Sequence, residues 1–181
     1  DRLGRISNAK AKVNEDLKTV QPQISFLEVI REVLPRDGFI TGEISQVGFT
    51  SQVAFPIYRP RTYVTCGHQD TLGYGFPTAL GVKVANPDKA VISITGDGGF
   101  QFAIQELATA KQFKIGLITI VFNNSALGNV RRDQETRFDG RVIGAELENP
   151  DFIEIAKAYN IAGYRVQDAK GLREVLSEVI I

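Results

Sequence analysis

Two segments of the chain are apolar on both faces of an extended backbone, and they constrain the fold more than any other feature. Residues 90–95 read AVISIT and residues 115–122 read IGLITIVF, with a helical pattern between them. Strands that lack a polar face are typical of a parallel sheet covered by helices on both sides. The predicted fold class is therefore α/β, with a doubly wound and mainly parallel sheet.

Shorter segments extend this alternation of strands and helices. Residues 26–34 have apolar side chains at helical spacing, which predicts a helix. Asn149 and Pro150 predict the N-cap and first turn of a later helix that runs to Tyr159, and Asp168 predicts the cap of the last helix. The remaining predicted elements are strands at residues 39–41, 62–65 and 161–166, helices at residues 77–86 and 100–113, and a long polar segment at residues 125–148.

The ends of the chain bear on its domain organisation. Residues 1–20 are polar and rich in lysine, so we expect a linker or the end of a preceding domain, followed by one domain at residues 21–181. The chain begins with Asp1, contains no methionine, and stops at Ile181 within a predicted helix. These features predict a segment of a longer polypeptide.

Composition narrows the classes of partner. Hydrophobic residues make up 43% of the chain, charged residues make up 23%, and the formal net charge is zero. This balance gives no electrostatic reason to expect nucleic acid or an anionic membrane as a partner, and no apolar run reaches the roughly 18–20 residues that span a bilayer. The one cysteine, Cys66, has no partner for an internal disulfide, which suits a cytoplasmic location.

Polar clusters follow the two buried strands directly. Gly96-Asp97-Gly98-Gly99 comes after the first strand, and Asn123-Asn124 comes after the second. The carboxyl ends of parallel strands form the ligand-binding edge of an open sheet, so neighbouring strands would bring these clusters together. Carboxylate, amide and backbone carbonyl oxygens suit Mg²⁺, and glycine lets the backbone approach a phosphate closely. The pair predicts a magnesium diphosphate site, although either cluster alone is also typical of an ordinary turn.

Two other phosphate motifs do not fit these residues. A dinucleotide fingerprint that starts at Gly96 requires glycine or alanine where the chain has Gln101, and an acidic residue about twenty positions later is absent. A P-loop requires a Gly-Lys-Ser/Thr triplet, which does not occur in the sequence.

Three stretches resemble the thiamine-diphosphate-dependent enzymes. GDGGFQFAIQELATAKQFKIGLITIVFNN is similar to the signature of that family, and CGHQDTLGYGFPTALGVKVANP and NPDFIEIAKAYNIAGYRV resemble the stretches on either side of it. The chain looks closest to the C-terminal diphosphate-binding domain of the acetolactate (acetohydroxyacid) synthase-like group. The resemblance implies the thiamine-diphosphate-binding fold, with thiamine diphosphate and Mg²⁺ as cofactors.

The resemblance implies roles for residues at matching positions. Asp97, Asn124 and the backbone carbonyl of Ala126 would hold Mg²⁺, and the glycine backbone at Gly96, Gly98 and Gly99 would approach the diphosphate. Leu72 would be the apolar wedge that bends the cofactor, and the backbone at Asp70 and Leu72 would bind the aminopyrimidine. Gln46 would make a contact on the diphosphate side. The chain departs from the family at Asp70, where glycine is frequent, and at Val47, where several relatives have histidine.

Other polar residues leave two interpretations open. His68 either meets the substrate and transfers a proton or is a solvated loop residue. Arg131, Arg132 and Arg137 either form a lid over an anionic substrate or lie on a solvated charged loop. Cys66 is expected to be a buried residue at the end of a strand.

The implied activity is decarboxylation of a 2-oxo acid followed by acetolactate synthase-like carboligation. The alternatives are a 2-oxo acid decarboxylase of the same family and a non-catalytic relic domain that serves assembly. In the family, a glutamate that activates the cofactor comes from a pyrimidine-binding domain, in the rest of the chain or in a second subunit. We therefore expect a homodimer or homotetramer in which this segment supplies only part of the active site.

Overall fold

The structure, a computed structural model, describes residues 1–180, and four parallel strands form one sheet within them. The strand order is β2-β1-β3-β4, so β1 and β3 lie in the centre. This arrangement, with helices on both faces, confirms the predicted doubly wound α/β class. The strands are β1 (Phe39–Gly42), β2 (Tyr63–Thr65), β3 (Val91–Gly96) and β4 (Ile118–Phe122).

Helices connect the strands and cover the sheet. Within the first part of the chain they are α1 (Arg2–Lys18), α2 (Gln23–Val33), α3 (Gln46–Ala54) and α4 (Gly75–Ala85). The later helices are α5 (Asp97–Gln101), α6 (Leu107–Gln112), α7 (Gly128–Arg137), α8 (Phe152–Ala158) and α9 (Ala169–Val179). No helix in residues 1–180 combines the length and the apolar character needed to cross a membrane.

Apolar side chains of the sheet pack in two clusters, one on each face. On one face, Ile92 and Ile94 of β3 pack with apolar side chains of α2 and α9. On the other face, α4, α5 and α6 form a second cluster, to which Val121 of β4 adds its side chain. Because successive side chains of a strand point to opposite faces, Ile120 and Phe122 join the first cluster while Val121 joins the second. Every residue of β3 is buried, including Ser93 and Thr95 on the face opposite Ile92 and Ile94.

Strand register places three chain segments side by side at one edge of the sheet. Gly96, the last residue of β3, pairs with Phe122, the last residue of β4. Gly42, the last residue of β1, pairs with Ile94 of β3. Neighbouring strands of a sheet lie about 4.8 Å apart, so the residues that follow β1, β3 and β4 leave the sheet close together.

The predicted strand at residues 161–166 is wrong, because these residues form no strand. Instead of pairing with β4, these residues contact the neighbouring helix α8 and its N-cap. The N–H of Ile161 donates to the carbonyl of Ala156, and Arg165 forms an ion pair with Asp151. A Cβ built on Gly163 would lie 3.2 Å from Ile153, so the backbone there packs closely against α8.

Helix boundaries differ from the predictions at two places and agree at a third. The predicted helix at residues 100–113 is divided, because Ala103 has φ of −130° and a 3₁₀ turn at Ile104–Glu106 separates α5 from α6. The predicted cap Asn149 is also wrong, since the side chain of Asp151 accepts hydrogen bonds from the N–H groups of Ile153 and Glu154. The predicted cap Asp168 is confirmed by its bond from the N–H of Gly171.

Three helices were not predicted from the sequence. Helix α3 has Ser45 as its N-cap, and α7 occupies part of the long polar segment at residues 125–148. Residues 1–20 contain α1, in which no residue is buried. A solvent-exposed helix is compatible with a linker or with the end of a preceding domain, so the predicted boundary at residue 20 stays a prediction.

The substitution Ile92→Ala tests the position of the core. The Ile92 side chain is fully buried against the first cluster, and its truncation should lower the free energy of unfolding by about 2–5 kcal/mol. Urea denaturation followed by circular dichroism measures this change. Val84→Ala, at an exposed position of α4, is the control and should change stability by less than about 0.5 kcal/mol; equal effects would contradict the assigned core.

Candidate functional site

The ends of β1, β3 and β4 line one continuous groove of about 1880 Å³. Ser45 and Gln46 contribute from the turn after β1 and the start of α3, while Gly96 to Phe100 and Asn123 to Asn129 contribute from the turns after β3 and β4. The groove then runs along the outer edge of β4. Both clusters that the sequence singled out therefore lie in a single concave site.

An amide side chain fixes the carboxylate of Asp97. Asn149 donates one hydrogen bond to Asp97 Oδ2, at 2.7 Å, and a second to Asn123 Oδ1, at 2.8 Å. The Asn149 amide is itself oriented by Gln101, which donates to its oxygen at 2.6 Å. Asp97 is only 3% exposed, and its Oδ1 accepts no hydrogen bond from residues 1–180. One carboxylate oxygen is thus held in place while the other is available to a ligand.

The two asparagines after β4 have different surroundings. Asn123 Oδ1 accepts hydrogen bonds from the backbone N–H of Ser125, at 3.1 Å, and from Asn149. These bonds stabilise a turn in which Ser125 has φ of +55°. Asn124 is exposed and lines the groove, and its Nδ2 lies 3.0 Å from the position of a Cβ built on Gly128. Asn123 therefore shapes the turn, and Asn124 is the asparagine that is available to a ligand.

The carbonyl of Ala126 also has a defined setting. Ala126 is buried and forms an isolated antiparallel bridge with Glu146. The hydrogen bonds of this bridge join Leu127 N–H to Ala145 O and Leu147 N–H to Ser125 O. The bridge leaves the carbonyl oxygen of Ala126 without a hydrogen bond from the described residues, so it can accept a ligand.

The glycines after Asp97 pack against protein atoms as well as lining the groove. A Cβ built on Gly98 would lie 2.8 Å from Leu127, and a Cβ built on Gly99 would lie 2.1 Å from a carboxylate oxygen of Glu43. Larger residues would push these neighbours away, so close packing alone already requires glycine at both positions. No side chain of the described chain caps α5, and its first-turn N–H groups therefore remain available to an anion.

These groups fit a magnesium diphosphate. Asp97, Asn124 and Ala126 offer three hard oxygen donors, and the start of α5 offers N–H groups to phosphate oxygens. Residues 1–180 hold no cluster of three or more His, Cys, Asp or Glu side chains that suits a metal ion. The predicted magnesium site differs from such a cluster, because Asp97 is its only carboxylate. Mg²⁺ commonly takes its other ligands from phosphate and water.

A buried glutamate that sequence reasoning missed joins the groove to the loop after β2. Glu43, 1% exposed, accepts hydrogen bonds from the N–H groups of Gly73, at 2.5 Å, and Gly75, at 3.0 Å, and from the hydroxyl of Thr95, at 2.6 Å. Its sequence position carried a signal, since an acidic residue follows β1 directly, as Asp97 follows β3.

The loop after β2 holds the residues predicted to meet the aminopyrimidine. Leu72 is half-buried and lines the groove with Asp97. Asp70 is half-buried, and burial raises the pKa of its carboxyl, while a hydrogen bond from the N–H of Thr71 acts in the opposite direction.

His68 is exposed, and both interpretations of it stay predictions. Cys66 is half-buried, less than expected, and its thiol donates to Asp70.

Gln46 lies in the first turn of α3, on the opposite wall of the groove. Its side-chain amide donates to Asn129 Oδ1 at 3.3 Å, and its Nε2 is 3.7 Å from a Cβ built on Gly128. Gln46 is therefore close to the turn that carries Asn124. Its contact with the diphosphate stays a prediction, and Val47 beside it is buried in the core.

The three arginines expected to form a lid or a solvated loop lie on the exposed helix α7 or at its end. Arg131 bonds Glu135 at 2.9 Å, and Arg137 is 3.8 Å from Asp133. The hydrogen bond that Arg131 donates to Glu135 raises the pKa of Arg131. Arg132 forms no ion pair with the described residues. The expected loop is thus wrong as secondary structure, and a role as a lid stays a prediction.

Comparison with known proteins identifies the family. Residues 43–180 match the family described as thiamine pyrophosphate enzyme, C-terminal TPP binding domain. The chain belongs to this family. The match covers most of the chain, including the groove, and it confirms the resemblance inferred from the motifs.

Relatives of this TPP binding domain are much longer proteins. The chain is 32% identical over 170 residues to the acetolactate synthase isozyme 3 large subunit of Escherichia coli (strain K12), covering 93% of this chain and 29% of that protein. It is 41% identical over 142 residues to the mitochondrial acetolactate synthase catalytic subunit of Aspergillus candidus, covering 78% and 20%. The chain thus spans less than a third of the length of these relatives, and further domains are implied.

A solved structure shares the fold of the domain. The thiamine diphosphate-dependent 4-hydroxybenzoylformate decarboxylase of Rhodococcus jostii RHA1 matches with a TM-score of 0.77 and 26% identity. The match covers 87% of this chain and 30% of the decarboxylase. Similar proteins therefore include both synthases and a decarboxylase.

Substitution of Asn149 tests the network around Asp97 in this TPP binding domain. Asn149→Ala leaves Asp97 and Gln101 without their partner and should lower the free energy of unfolding by about 1–3 kcal/mol. Asn149→Asp should lower stability further at neutral pH, because two carboxylates then face each other and their repulsion raises the pKa of the introduced carboxyl in the folded state. The additional loss of stability in Asn149→Asp, relative to Asn149→Ala, should become smaller as the pH falls through that raised pKa.

Urea denaturation at pH 7 and pH 4.5 measures both effects. Asn8→Ala, on the exposed helix α1, is the control and should change stability by less than about 0.5 kcal/mol. An Asn149→Asp variant as stable as Asn149→Ala at both pH values would contradict the contact between Asn149 and the Asp97 carboxylate.

Proposed function

We propose that the chain forms the diphosphate- and Mg²⁺-binding part of a thiamine-diphosphate-dependent enzyme that acts on 2-oxo acids. The supporting observation is the edge of the sheet where Asp97, Asn124 and the carbonyl of Ala126 line one groove. Asn149 holds one oxygen of Asp97 and leaves the other for the metal ion. The position of the groove at the carboxyl ends of parallel strands is also where open α/β sheets bind ligands.

Each wall of the groove has its own task in this proposal. Asp97, Asn124 and the carbonyl of Ala126 would hold Mg²⁺, and the backbone N–H groups at Gly98 and Gly99 would bind the diphosphate. Family resemblance supports the remaining assignments. Leu72 supports the bent conformation of the cofactor, the backbone at Asp70 binds its aminopyrimidine edge, Gln46 contacts the diphosphate side, and Gly96 leaves space for it.

The cofactor, when bound, supplies the nucleophilic carbon that attacks a 2-oxo acid and stabilises the charge left by decarboxylation. The protein binds and orients it and keeps water away. The chain does not complete the site alone, since the activating glutamate is expected from a pyrimidine-binding domain elsewhere in the polypeptide or in a second subunit. We accordingly propose a homodimer or homotetramer located in the cytoplasm.

The proposed reaction is acetolactate synthase-like carboligation after decarboxylation. Sequence relatives named acetolactate synthase support it. A second candidate is a 2-oxo acid decarboxylase, which the fold match to a decarboxylase favours. Incubation of the full-length protein with pyruvate distinguishes them, since carboligation yields a C–C coupled product and simple decarboxylation yields an aldehyde.

A non-catalytic relic that serves assembly is the remaining alternative. Asp97 Oδ1 and the Ala126 carbonyl oxygen accept no hydrogen bond from the described residues, which argues against a relic. A domain that binds no cofactor has no functional reason to keep these oxygens unbonded. A thermal-shift measurement on the full-length protein with thiamine diphosphate and Mg²⁺ discriminates the two cases. Stabilisation that requires both ligands supports the enzyme, and no shift supports the relic.

Asp97→Ala should abolish Mg²⁺-dependent binding of thiamine diphosphate. The substitution removes the only carboxylate of the proposed metal site, so titration calorimetry of the full-length protein should show an affinity at least about 100-fold lower, equivalent to roughly 2.7 kcal/mol. Asp139→Ala, at an exposed turn, is the matched control. Unchanged affinity in Asp97→Ala would remove the metal assignment.

Leu72→Ala should affect the shape of the bound cofactor more than its affinity. Without the leucine, the bent conformation loses its support, so exchange of the cofactor's C2 proton should slow by about tenfold or more, equivalent to roughly 1.4 kcal/mol. Proton exchange followed by NMR measures this rate, and calorimetry measures the affinity. Equal exchange rates in Leu72→Ala and the unmodified enzyme would argue against the wedge.

A further inference from the structure

Glu43 is a buried carboxylate that the proposed function does not use. It is the first residue beyond β1, and its N–H still donates to the carbonyl of Ile94 in the sheet. A carboxylate that is almost wholly removed from water is costly unless several donors surround it. Its three donors, Gly73, Gly75 and Thr95, come from the loop after β2, the start of α4 and the end of β3.

The loop at residues 66–73 depends on this carboxylate. Its other hydrogen bonds within the described chain stay local, joining Cys66 to Asp70, Gly67 to Thr65, and Thr71 to its neighbours. The bond from the Gly73 N–H to Glu43 is the one that ties this loop to a more distant part of the fold. Because Gly73 directly follows Leu72, this bond sets the backbone position of the leucine.

The same carboxylate packs against the segment that carries Asp97. A Cβ built on Gly99 would lie 2.1 Å from Glu43 Oε1, and a Cβ built on Gly75 would lie 2.8 Å from Oε2. The Glu43 side chain thus occupies the space between the start of α4 and the start of α5. Its length sets the separation between the loop of Leu72 and the turn of Asp97.

We infer that Glu43 is a positioning residue that holds the Leu72 loop at a fixed distance from the Asp97 turn. The inference rests on the proposed function, since it assigns the two ends of one cofactor to these two segments. Glu43 acts through the backbone of Gly73 and Gly75 and needs no contact with the cofactor. Its loss should disturb the aminopyrimidine end of the site and leave the metal end nearly intact.

Glu43→Gln in the full-length protein tests this role. Glutamine has the same size, but its NH₂ group turns a donor toward groups that are themselves donors, so at least one of the three bonds is lost. Without cofactor, amide hydrogen exchange in residues 66–75 should become at least tenfold faster. With cofactor, kcat and the rate of C2 proton exchange should fall at least tenfold, while the half-saturating Mg²⁺ concentration should change less than threefold.

Two control variants separate positioning from general damage. Glu28→Gln makes the same change at an exposed site on α2, and it should leave all of these quantities unchanged. Ile40→Val, in β1 just before Glu43 and fully within the core, should lower the melting temperature without accelerating exchange in residues 66–75.

Several outcomes would overturn the inference. Unchanged hydrogen exchange in residues 66–75 of Glu43→Gln would contradict it. An equal fall in kcat and in Mg²⁺ affinity would also contradict it. If Glu43→Gln fails to fold, Thr95→Val removes one donor only and should accelerate exchange in the loop to a smaller extent; no acceleration would contradict the role. If the full-length protein does not bind thiamine diphosphate, the proposed function is contradicted. The hydrogen-exchange measurement without cofactor would still test whether Glu43 holds the loop at residues 66–75.

Discussion

The parallel pairing of β3 with its two neighbours is the constraint on which the site depends. Pairing of Gly96 with Phe122 makes Asp97 and Asn123 leave the sheet side by side, although 26 positions separate them in the chain. Pairing of Gly42 with Ile94 brings Glu43 next to Thr95 in the same way. A shift of one residue in either register would turn these side chains to the opposite face. The buried isoleucines of β3, packed on the first core cluster, hold that register.

Polar side chains connect the strand ends once the sheet has brought them together. Asn149 links the turn of Asp97 to the turn of Asn123, and Glu43 links the end of β3 to the loop of Leu72. Each linking group is buried or half-buried and bonded by two or more partners, so it behaves as part of the scaffold. The groups left free, Asp97 Oδ1 and the Ala126 carbonyl, belong to residues that line the groove. Asn149 and Glu43 hold the strand ends in position, while the free oxygens of Asp97 and Ala126 stay available to a ligand.

Sequence reasoning recovered the central strands and the two polar clusters, because local patterns encode both. Strands β3 and β4 are rich in β-branched and apolar residues and lack charged ones, and the clusters follow them directly. Relations between distant residues were not recoverable. The predicted strand at residues 161–166 had the right composition, but these residues pair with no strand, and the N–H of Ile161 bonds α8. Asn149 resembled a helix cap, yet its side chain is used by Asp97, and Asp151 caps the helix. Glu43 directly follows a strand, as Asp97 does, but its role is evident only from the three groups that donate hydrogen bonds to it.

Anomalous diffraction from crystals of the full-length protein, grown with thiamine diphosphate and with Mn²⁺ in place of Mg²⁺, tests the proposed site most directly. We expect one manganese peak at the groove, coordinated by Asp97 Oδ1, the Asn124 side-chain oxygen, the Ala126 carbonyl and two diphosphate oxygens. A bound cofactor whose metal ion contacts neither Asp97 nor Asn124, or the absence of a peak at the carboxyl ends of β3 and β4, would contradict it.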